Sequence, residues 1–473
     1  MTATAYGHDL KGDPERLTAS IEAASVAPFW LDDPSRPASR ASLRGDTDTD
    51  LVVIGGGFCG LWTALIAKER DPSRRVVLLE GRRIGWAASG RNGGFCESSL
   101  THGRENGELH FADEIQVIER LAQENFAAFE QTIERYGIDA EFEKAPVLTV
   151  ATEPHQVAGL RDAADGVHSR FLEGAELDEF AKSPLFRAGT VDTEGSAYVN
   201  PAKLAWGLAD AAERLGVEIY ESSPALKLHR SSAGVAVETP GGTVRARYAA
   251  LATNGFPSLL KRLRLFTVPI YDYVLMTEPL SDAQLESIGW TGRHGITDAG
   301  REFHYYRKSA DNRILFGGYD AIYHRGRRII DHQDQRPETF LRLADHFFST
   351  FPQLEGTKFS HRWGGMIDMS TQLVAFHGAT KDGRVAYSSG YTGLGVAATR
   401  FGADTMLDLL DGADTARTRL KMARRLPIPI PPEPIAYPLI QTMRRAVAKS
   451  DANGGEDGFL LKTAQRFGVG FDS

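Results

Sequence analysis

The sequence predicts an α/β protein of two interwoven domains, one Rossmann-like and the other an α+β unit built on an antiparallel sheet. Three observations lead there. The apolar run Leu51-Val52-Val53-Ile54 enters the glycine turn Gly55-x-Gly57-x-x-Gly60 and a helical stretch to Arg70, and a second apolar run at 76–79 ends at Glu80; strand, turn, helix and strand in about 30 residues make one βαβ unit. The same style returns near 196–255 and again near 385–412. Between them, over 268–365, the pattern changes to longer runs rich in aromatic and branched residues, as strands are.

Each segment has a local reason. Residues 1–48 are polar and turn-rich and read as an arm without its own core; 49–110, 196–262 and 361–412 read as the Rossmann-like domain, 111–195 and 263–360 as the second domain, and 413–473 as a tail. The unbroken apolar run at 51–54 suits a strand buried on both faces. A glycine-rich loop follows at 88–95. Ile115, Ile118, Ala122, Phe126, Phe129, Ile133 and Tyr136 recur at helical spacing, and Gly137 suits the stop. Residues 138–195 are mixed. Asn200-Pro201 starts a helix with a cap and a proline in the first turn. Pro240-Gly241-Gly242 between two branched runs signals a hairpin. Strands are expected at 271–277, 303–307 and 314–318, then at Val385-Ala386-Tyr387, followed by the loop Gly390-Tyr391-Thr392-Gly393-Leu394-Gly395 and a helix to Gly412. The tail carries six prolines between 427 and 438 and a net charge of +4, and is expected to dock on its own protein.

Composition narrows the function classes. The formal charge is −8, without the basic footprint of a nucleic-acid binder. Two cysteines exclude a disulfide framework and a cysteine-rich zinc module. No His, Cys and carboxylate cluster has metal-ligand spacing, so no metal is expected. Residues 51–67 form a 17-residue stretch without charge, but four glycines interrupt it and a spanning helix needs about 20 residues. The absence of a basic patch with an apolar run near residue 1 leads us to expect a cytoplasmic protein with no membrane span.

The glycine turn has the mechanics of a dinucleotide site. Gly55 makes the turn, Gly57 lets backbone approach a pyrophosphate, and Gly60 lets the helix pack on the strand. The helix N-terminus offers free N–H groups, and Glu80 lies where a carboxylate accepts from ribose hydroxyls. Arg82 and Arg83 would suit a 2′-phosphate, which Glu80 would repel. Because the style breaks off and returns twice, FAD fits better than NAD: its flavin end needs loops from distant parts of the chain.

These motifs, together with Ala88-Ser89-Gly90-Arg91-Asn92-Gly93-Gly94-Phe95, Asn200-Pro201 and Trp363-Gly364-Gly365, resemble the D-amino-acid-oxidase-type FAD-dependent oxidoreductases. Within that family they are similar to the gamma-glutamylputrescine-oxidase-like branch. The resemblance implies that Gly55, Gly57, Phe58, Cys59, Gly60, Glu80, Gly81 and Arg82 hold the ADP half of a non-covalent FAD. It implies that Ser89, Gly90, Arg91, Asn92, Gly93, Gly94 and Phe95 wrap the pyrophosphate and flavin edge. It also implies that Ala225 meets the adenine, that Thr253, Asn254 and Gly255 pass nearby, and that Trp363, Gly390, Tyr391, Thr392, Gly393, Leu394 and Gly395 meet the flavin. The implied reaction is oxidation of a C–N bond of a small amine or amino acid, with oxygen or another acceptor. Tyr306, Trp363, Tyr271 and His304 are the expected pocket and catalytic residues, and Arg307 the clamp for a substrate carboxylate. Where relatives place a lysine over the flavin, this chain reads Pro269-Ile270-Tyr271-Asp272. No cysteine follows Cys96, and His102 is the other candidate for a covalent link. Two alternatives stand beside this reading: a flavin monooxygenase using NADPH, for which no second nucleotide motif is found, and an RNA-base-modifying enzyme of the same family.

Overall fold

The computed structural model describes residues 4–7, 9–466 and 468–470. Its first sheet has eight strands. Thr47–Ile54 lies at the centre, parallel to Val76–Leu79 on one side and to Gly242–Leu251 on the other. Val217–Tyr220 extends the parallel set beyond Val76–Leu79, and Val385–Ser389 joins the end of Gly242–Leu251. An antiparallel ribbon, Lys227–Arg230 and Val235–Thr239, closes one edge. The apolar run at 51–54 is buried on both faces because the sheet lies between two cores. Leu51 and Val53 enter one, Val52 and Ile54 the other. The first core is roofed by the helices Phe58–Arg70, Pro201–Arg214 and Ala398–Asp411. Asn200 caps the second of these, accepting Lys203 N–H at 3.2 Å.

The second sheet has nine strands. Val268–Thr277, Ile314–Gly318, His304–Lys308 and Gly295–Asp298 form an antiparallel run, followed by Val147–Ala151, Ala188–Asp192 and Ser169–Leu172. One face packs on the helix Pro337–Thr350, whose Phe340, Leu343 and Phe347 are buried. The other face turns toward the first domain. Alternation along the central strand makes this explicit: Tyr271, Tyr273 and Leu275 join the helix-side core, while Val274 and Met276 join the core shared with the first domain.

Two segments sit differently from the sequence-based grouping. The helix Ile115–Tyr136 ends at Gly137 (φ +60°), as its spacing predicts, yet its apolar stripe packs in the first domain's core. Trp62 and Phe129 bring their rings to 5.4 Å there. The strand Phe359–Met369 was grouped from residue 361 onward with the Rossmann-like domain. It instead pairs along nearly the whole of Val268–Thr277 in the second sheet.

The arm and tail are docked. The helix Pro14–Ile21, capped by Asp13, buries Leu17 and Ile21 in the second domain's core. Ser25 exchanges backbone bonds with Ser360 and Arg362, and Trp30 is buried. In the tail, Ile430 N–H bonds the Leu265 carbonyl at 2.7 Å, and Glu433 accepts from the Tyr323 hydroxyl at 2.7 Å. A helix, Ala436–Ala452, follows the prolines. No helix among the described residues is long and apolar enough to cross a membrane.

Candidate functional site

The glycine turn is as tight as the strand–helix junction demands. Gly55 has φ +114°, and a Cβ there would fall 2.3 Å from the Ala252 carbonyl oxygen. A Cβ at Gly60 would fall 1.9 Å from the Gly55 carbonyl oxygen, so the helix starts directly against the turn. One at Gly57 would reach 2.9 Å from Ser89 Oγ, which accepts the Phe58 N–H at 2.9 Å. Gly57 is the helix N-cap and supplies no side-chain cap, so the first-turn amides after Phe58 and the positive dipole end face a glycine-lined cradle.

Glu80 stands at the end of Val76–Leu79 and is buried. It accepts from Gly56 N–H at 2.6 Å, Arg82 N–H at 2.7 Å and Trp86 Nε1–H at 3.0 Å. Burial pushes its pKa up, and these donors pull it back down. A carboxylate has about four acceptor sites, so one stays open for a further donor such as a ribose hydroxyl. Gly81 packs beside Pro224, next to Ala225, and Ser223 N–H bonds the Glu80 carbonyl at 2.8 Å. Arg82 stacks on Trp86 and pairs with Asp331 at 2.9 Å. Thr253, Asn254 (φ +49°) and Gly255 follow the strand Gly242–Leu251, beside Gly55. All these groups lie past the carboxyl ends of parallel strands, where open α/β sheets bind ligands.

The 88–95 loop runs between the two domains and is fixed at every step. Gly90 lies so near the Gly85 carbonyl that a Cβ would fall 2.2 Å away. Arg91 Nε donates to the Trp86 carbonyl at 2.7 Å, and its Nη1 pairs with Asp334 and donates to the Gly364 carbonyl at 3.0 Å. Asn92 Nδ2 donates to the Ala88 carbonyl, and its Oδ1 accepts the Gly94 N–H at 2.8 Å. Gly93 faces the Tyr305 ring, and Phe95 meets it edge-on at 5.8 Å. Trp363 Nε1 and Trp30 Nε1 donate to the carbonyls of Arg91 and Asn92 at 2.9 and 3.0 Å.

The 390–395 loop is held by a residue that the sequence did not single out. Asp368, fully buried, accepts Gly390 N–H at 2.5 Å and Tyr391 N–H at 3.1 Å. Desolvation raises its pKa to about 7 against the pull of these amides. Thr392 Oγ1 donates to the Gly390 carbonyl and accepts the Ser370 N–H. Gly393 (φ +99°) and Leu394 stay accessible, and Gly395 leads into the helix Ala398–Asp411. Tyr391 OH lies 3.4 Å from Cys59 Sγ. Cys59 and Cys96 are buried free thiols, and burial raises the Cys59 pKa to about 11. His102 Nε2 approaches the Tyr391 carbonyl at 3.4 Å.

A helix end with a glycine N-cap, Cβ-free cradles and loops converging from four parts of the chain fit a flavin dinucleotide. Residues 50–409 match the family model DAO, described as FAD dependent oxidoreductase. The chain belongs to this family. It is similar to the gamma-glutamylputrescine oxidoreductase of Escherichia coli K12, 30% identical over 384 residues, which covers 78% of this chain and 85% of that one. The probable oxidoreductase OrdL of Haemophilus influenzae is 27% identical over 421 residues, covering 85% and 92%. Among solved structures, glycine oxidase from Geobacillus kaustophilus aligns with a TM-score of 0.65 at 18% identity, covering 78% of this chain and 96% of that one. The protein is an FAD-dependent oxidoreductase, and FAD is its cofactor.

In this oxidoreductase the expected catalytic side chains divide by the pleat of the second sheet. Tyr306 and His304 face the helix side, away from the dinucleotide domain. Tyr306 OH donates to Asp298 at 3.2 Å, and His304 bonds Asp298 through Nδ1 at 2.5 Å and His346 through Nε2 at 2.9 Å, all buried. Tyr271 shares that face and is buried against Tyr273 and His324. Trp363 and Arg307 face the dinucleotide domain. Arg307 is no free clamp: its Nη1 donates to the carbonyls of Gly94 and Val199 at 3.2 and 2.8 Å. It lies over the rings of Trp30 and Tyr198, and burial lowers its pKa to about 10. The neighbours Tyr305 and Asp272 occupy the accessible part of this face, beside Gly365 and Arg91. The signal for Asp272 was a lone acid inside an apolar strand.

Proposed function

We propose that the enzyme oxidises a C–N bond of a small amine or amino acid. The observation that carries this reading is the arrangement of a partly accessible sheet face, with Tyr305, Asp272 and Gly365, against the 88–95 loop of the dinucleotide domain. The relatives named for gamma-glutamylputrescine and for glycine support it. Bound FAD would supply the acceptor for a hydride from the carbon beside the amine nitrogen, and water would hydrolyse the resulting imine to an aldehyde or keto acid. The chain's part is positioning and desolvation. Arg91, Asn92 and the glycines of the loop would hold the flavin edge through short backbone contacts. Trp363, Phe95 and Tyr305 would exclude water from the reacting carbon. Anaerobic mixing of the purified yellow protein with a panel of amines and amino acids tests this. Loss of the flavin absorbance band with at least one of them is expected. A flavin that stays oxidised with every one, or a folded protein that binds no FAD, would overturn the proposal.

A further inference from the structure

Asp272 sits in the middle of Val268–Thr277, a strand otherwise made of apolar, aromatic and small residues up to Met276 and Thr277. The pleat sends Val274 and Met276 of that strand toward the dinucleotide domain, and Asp272 is in phase with them. Its neighbour across the sheet is Gly365, which has no side chain to cover it, and a Cβ at Gly365 would only brush the stem of Arg91 at 3.6 Å. Asp272 and Gly365 both stay partly accessible, in a region where the flanking Val274 and Trp363 are buried. The carboxylate therefore opens onto the gap between the sheet and the 88–95 loop.

Three donors orient it, the third being the backbone N–H of Gly318. Tyr305 OH donates to Oδ2 at 2.5 Å, and Tyr273 N–H donates to Oδ1 at 2.7 Å. Tyr305 is itself fixed, its ring between Gly93 and Gly317 and edge-on to Phe95. These three bonds leave about one of the four acceptor sites of a carboxylate unused. Among the described residues Asp272 forms no ion pair. A desolvated carboxylate without a cation is costly, and supplying the cation relieves that cost. Desolvation raises its pKa to about 6, which leaves it ionised at neutral pH.

The cations nearest the gap are already engaged. Arg307 is spent on two backbone carbonyls, Arg91 on Asp334 and the Gly364 carbonyl, and Lys308 on the carbonyls of Trp290 and Thr291 on the far face. An α-amino acid would bring a carboxylate toward Asp272 with none of these three cations free to meet it. A cationic amine would bring the missing charge.

We infer that Asp272, oriented by Tyr305, binds the ammonium group of the substrate, and that the substrate is a primary or secondary alkylamine without an α-carboxylate. This rests on the proposed amine oxidation. The test uses the FAD-loaded enzyme under anaerobic conditions, with 1,4-diaminobutane, N-acetyl-1,4-diaminobutane and butylamine as amine probes, and glycine, sarcosine and D-alanine as amino-acid probes. For the wild type, the amine probes should reduce the flavin at lower half-saturating concentrations than the amino acids. Asp272→Asn should raise the half-saturating amine concentration by about tenfold or more, the loss expected for a hydrogen bond to a charged group. Tyr305→Phe, which only frees the carboxylate, should raise it several-fold. Both variants should keep the flavin content and visible spectrum of the wild type. Calorimetric titration with an amine probe that binds without reducing the flavin gives the same comparison independently of turnover. The inference is overturned if amino acids are preferred, or if both variants bind the amine probes as the wild type does. If no amine or amino acid reduces the wild-type flavin, the proposed function itself fails, and the two failures are distinguishable.

Discussion

Gly94→Ala separates two costs that glycine spares the flavin loop. Gly94 has φ +75°, and an added Cβ would fall 2.2 Å from the Val199 carbonyl oxygen and 2.6 Å from Arg307 Nη1. Gly137 provides an internal comparison, with φ +60° and nothing within 4 Å of its added Cβ. A left-handed backbone costs alanine about 1–2 kcal/mol at either site. At Gly137 that is the whole effect. At Gly94 the Val199 oxygen must also withdraw by about 1 Å to reach ordinary contact. Overpacking of that kind costs about 1–3 kcal/mol, and loss of the Arg307–Val199 bond about 1.5–3 more. The total is on the order of 5 kcal/mol. With about 2–4 °C per kcal/mol for a domain of this size, Gly137→Ala should lower the melting temperature by about 2–8 °C and Gly94→Ala by about 10–20 °C. Heating both variants while following the rise in flavin fluorescence on release reads the two directly, and the absorbance ratio at 450 and 280 nm gives FAD content. A Gly94→Ala enzyme that keeps full FAD and melts within about 3 °C of Gly137→Ala would refute the packing argument.

Arg307→Met strands the Val199 carbonyl and leaves that of Gly94 with only the Val199 N–H, so it should lower melting temperature and FAD content, while the order of preference among amines and amino acids stays as in the wild type; a switched preference would return Arg307 to the substrate. Tyr306→Phe deletes a buried bond to Asp298 and should cost about 1–2 kcal/mol in urea unfolding. Because Tyr306 faces away from the dinucleotide domain, kcat/KM should stay within about twofold of wild type, and a tenfold fall would contradict that placement. Asp368 titrates near 7 in the fold and near 3.8 when unfolded. Below both values the carboxyl is neutral in either state; as pH rises toward 7 the unfolded chain ionises first, and stability falls by up to about 4 kcal/mol before levelling off. The urea midpoint of the wild type should therefore drop between pH 4 and 7 relative to that of Asp368→Asn, and parallel curves would be incompatible with a raised carboxyl.

The dinucleotide half was legible because its constraints are local. A turn that brings Gly60 under the Gly55 carbonyl cannot tolerate a side chain, so the requirement is written in glycine at fixed spacing. The apolar period of 115–136 likewise announced the helix and its stop at Gly137. It could not announce the destination of the stripe, because an apolar face reads the same whichever core receives it. The glycines of Trp363-Gly364-Gly365 are likewise silent about which sheet receives the segment. Gly364 is a strand residue whose missing side chain makes room for the Tyr273 ring, 2.8 Å from where a Cβ would stand.

The substrate face was harder to read, for a reason that the strand His304–Lys308 makes plain. A strand with one wet face alternates polar and apolar, and its register can be read. Here both faces are covered, so His304, Tyr305, Tyr306 and Arg307 carry no alternation to say which pair looks inward. A shift of one residue exchanges the faces. Choosing Tyr306 over Tyr305 therefore put the expected pocket on the face turned away from the dinucleotide domain. The strand two places away, beyond Ile314–Gly318, held the missing clue. Asp272 is the one charged residue of Val268–Thr277, and an acid in such a strand must meet water, a cation or a donor on one face. Once Asp272 is placed on the gap side, its 2.5 Å bond to Tyr305, reaching across Ile314–Gly318, puts Tyr305 on that side too. A lone charge in an all-apolar run thus carries more information about a doubly buried sheet than its aromatic residues do, because only the charge has a preferred side.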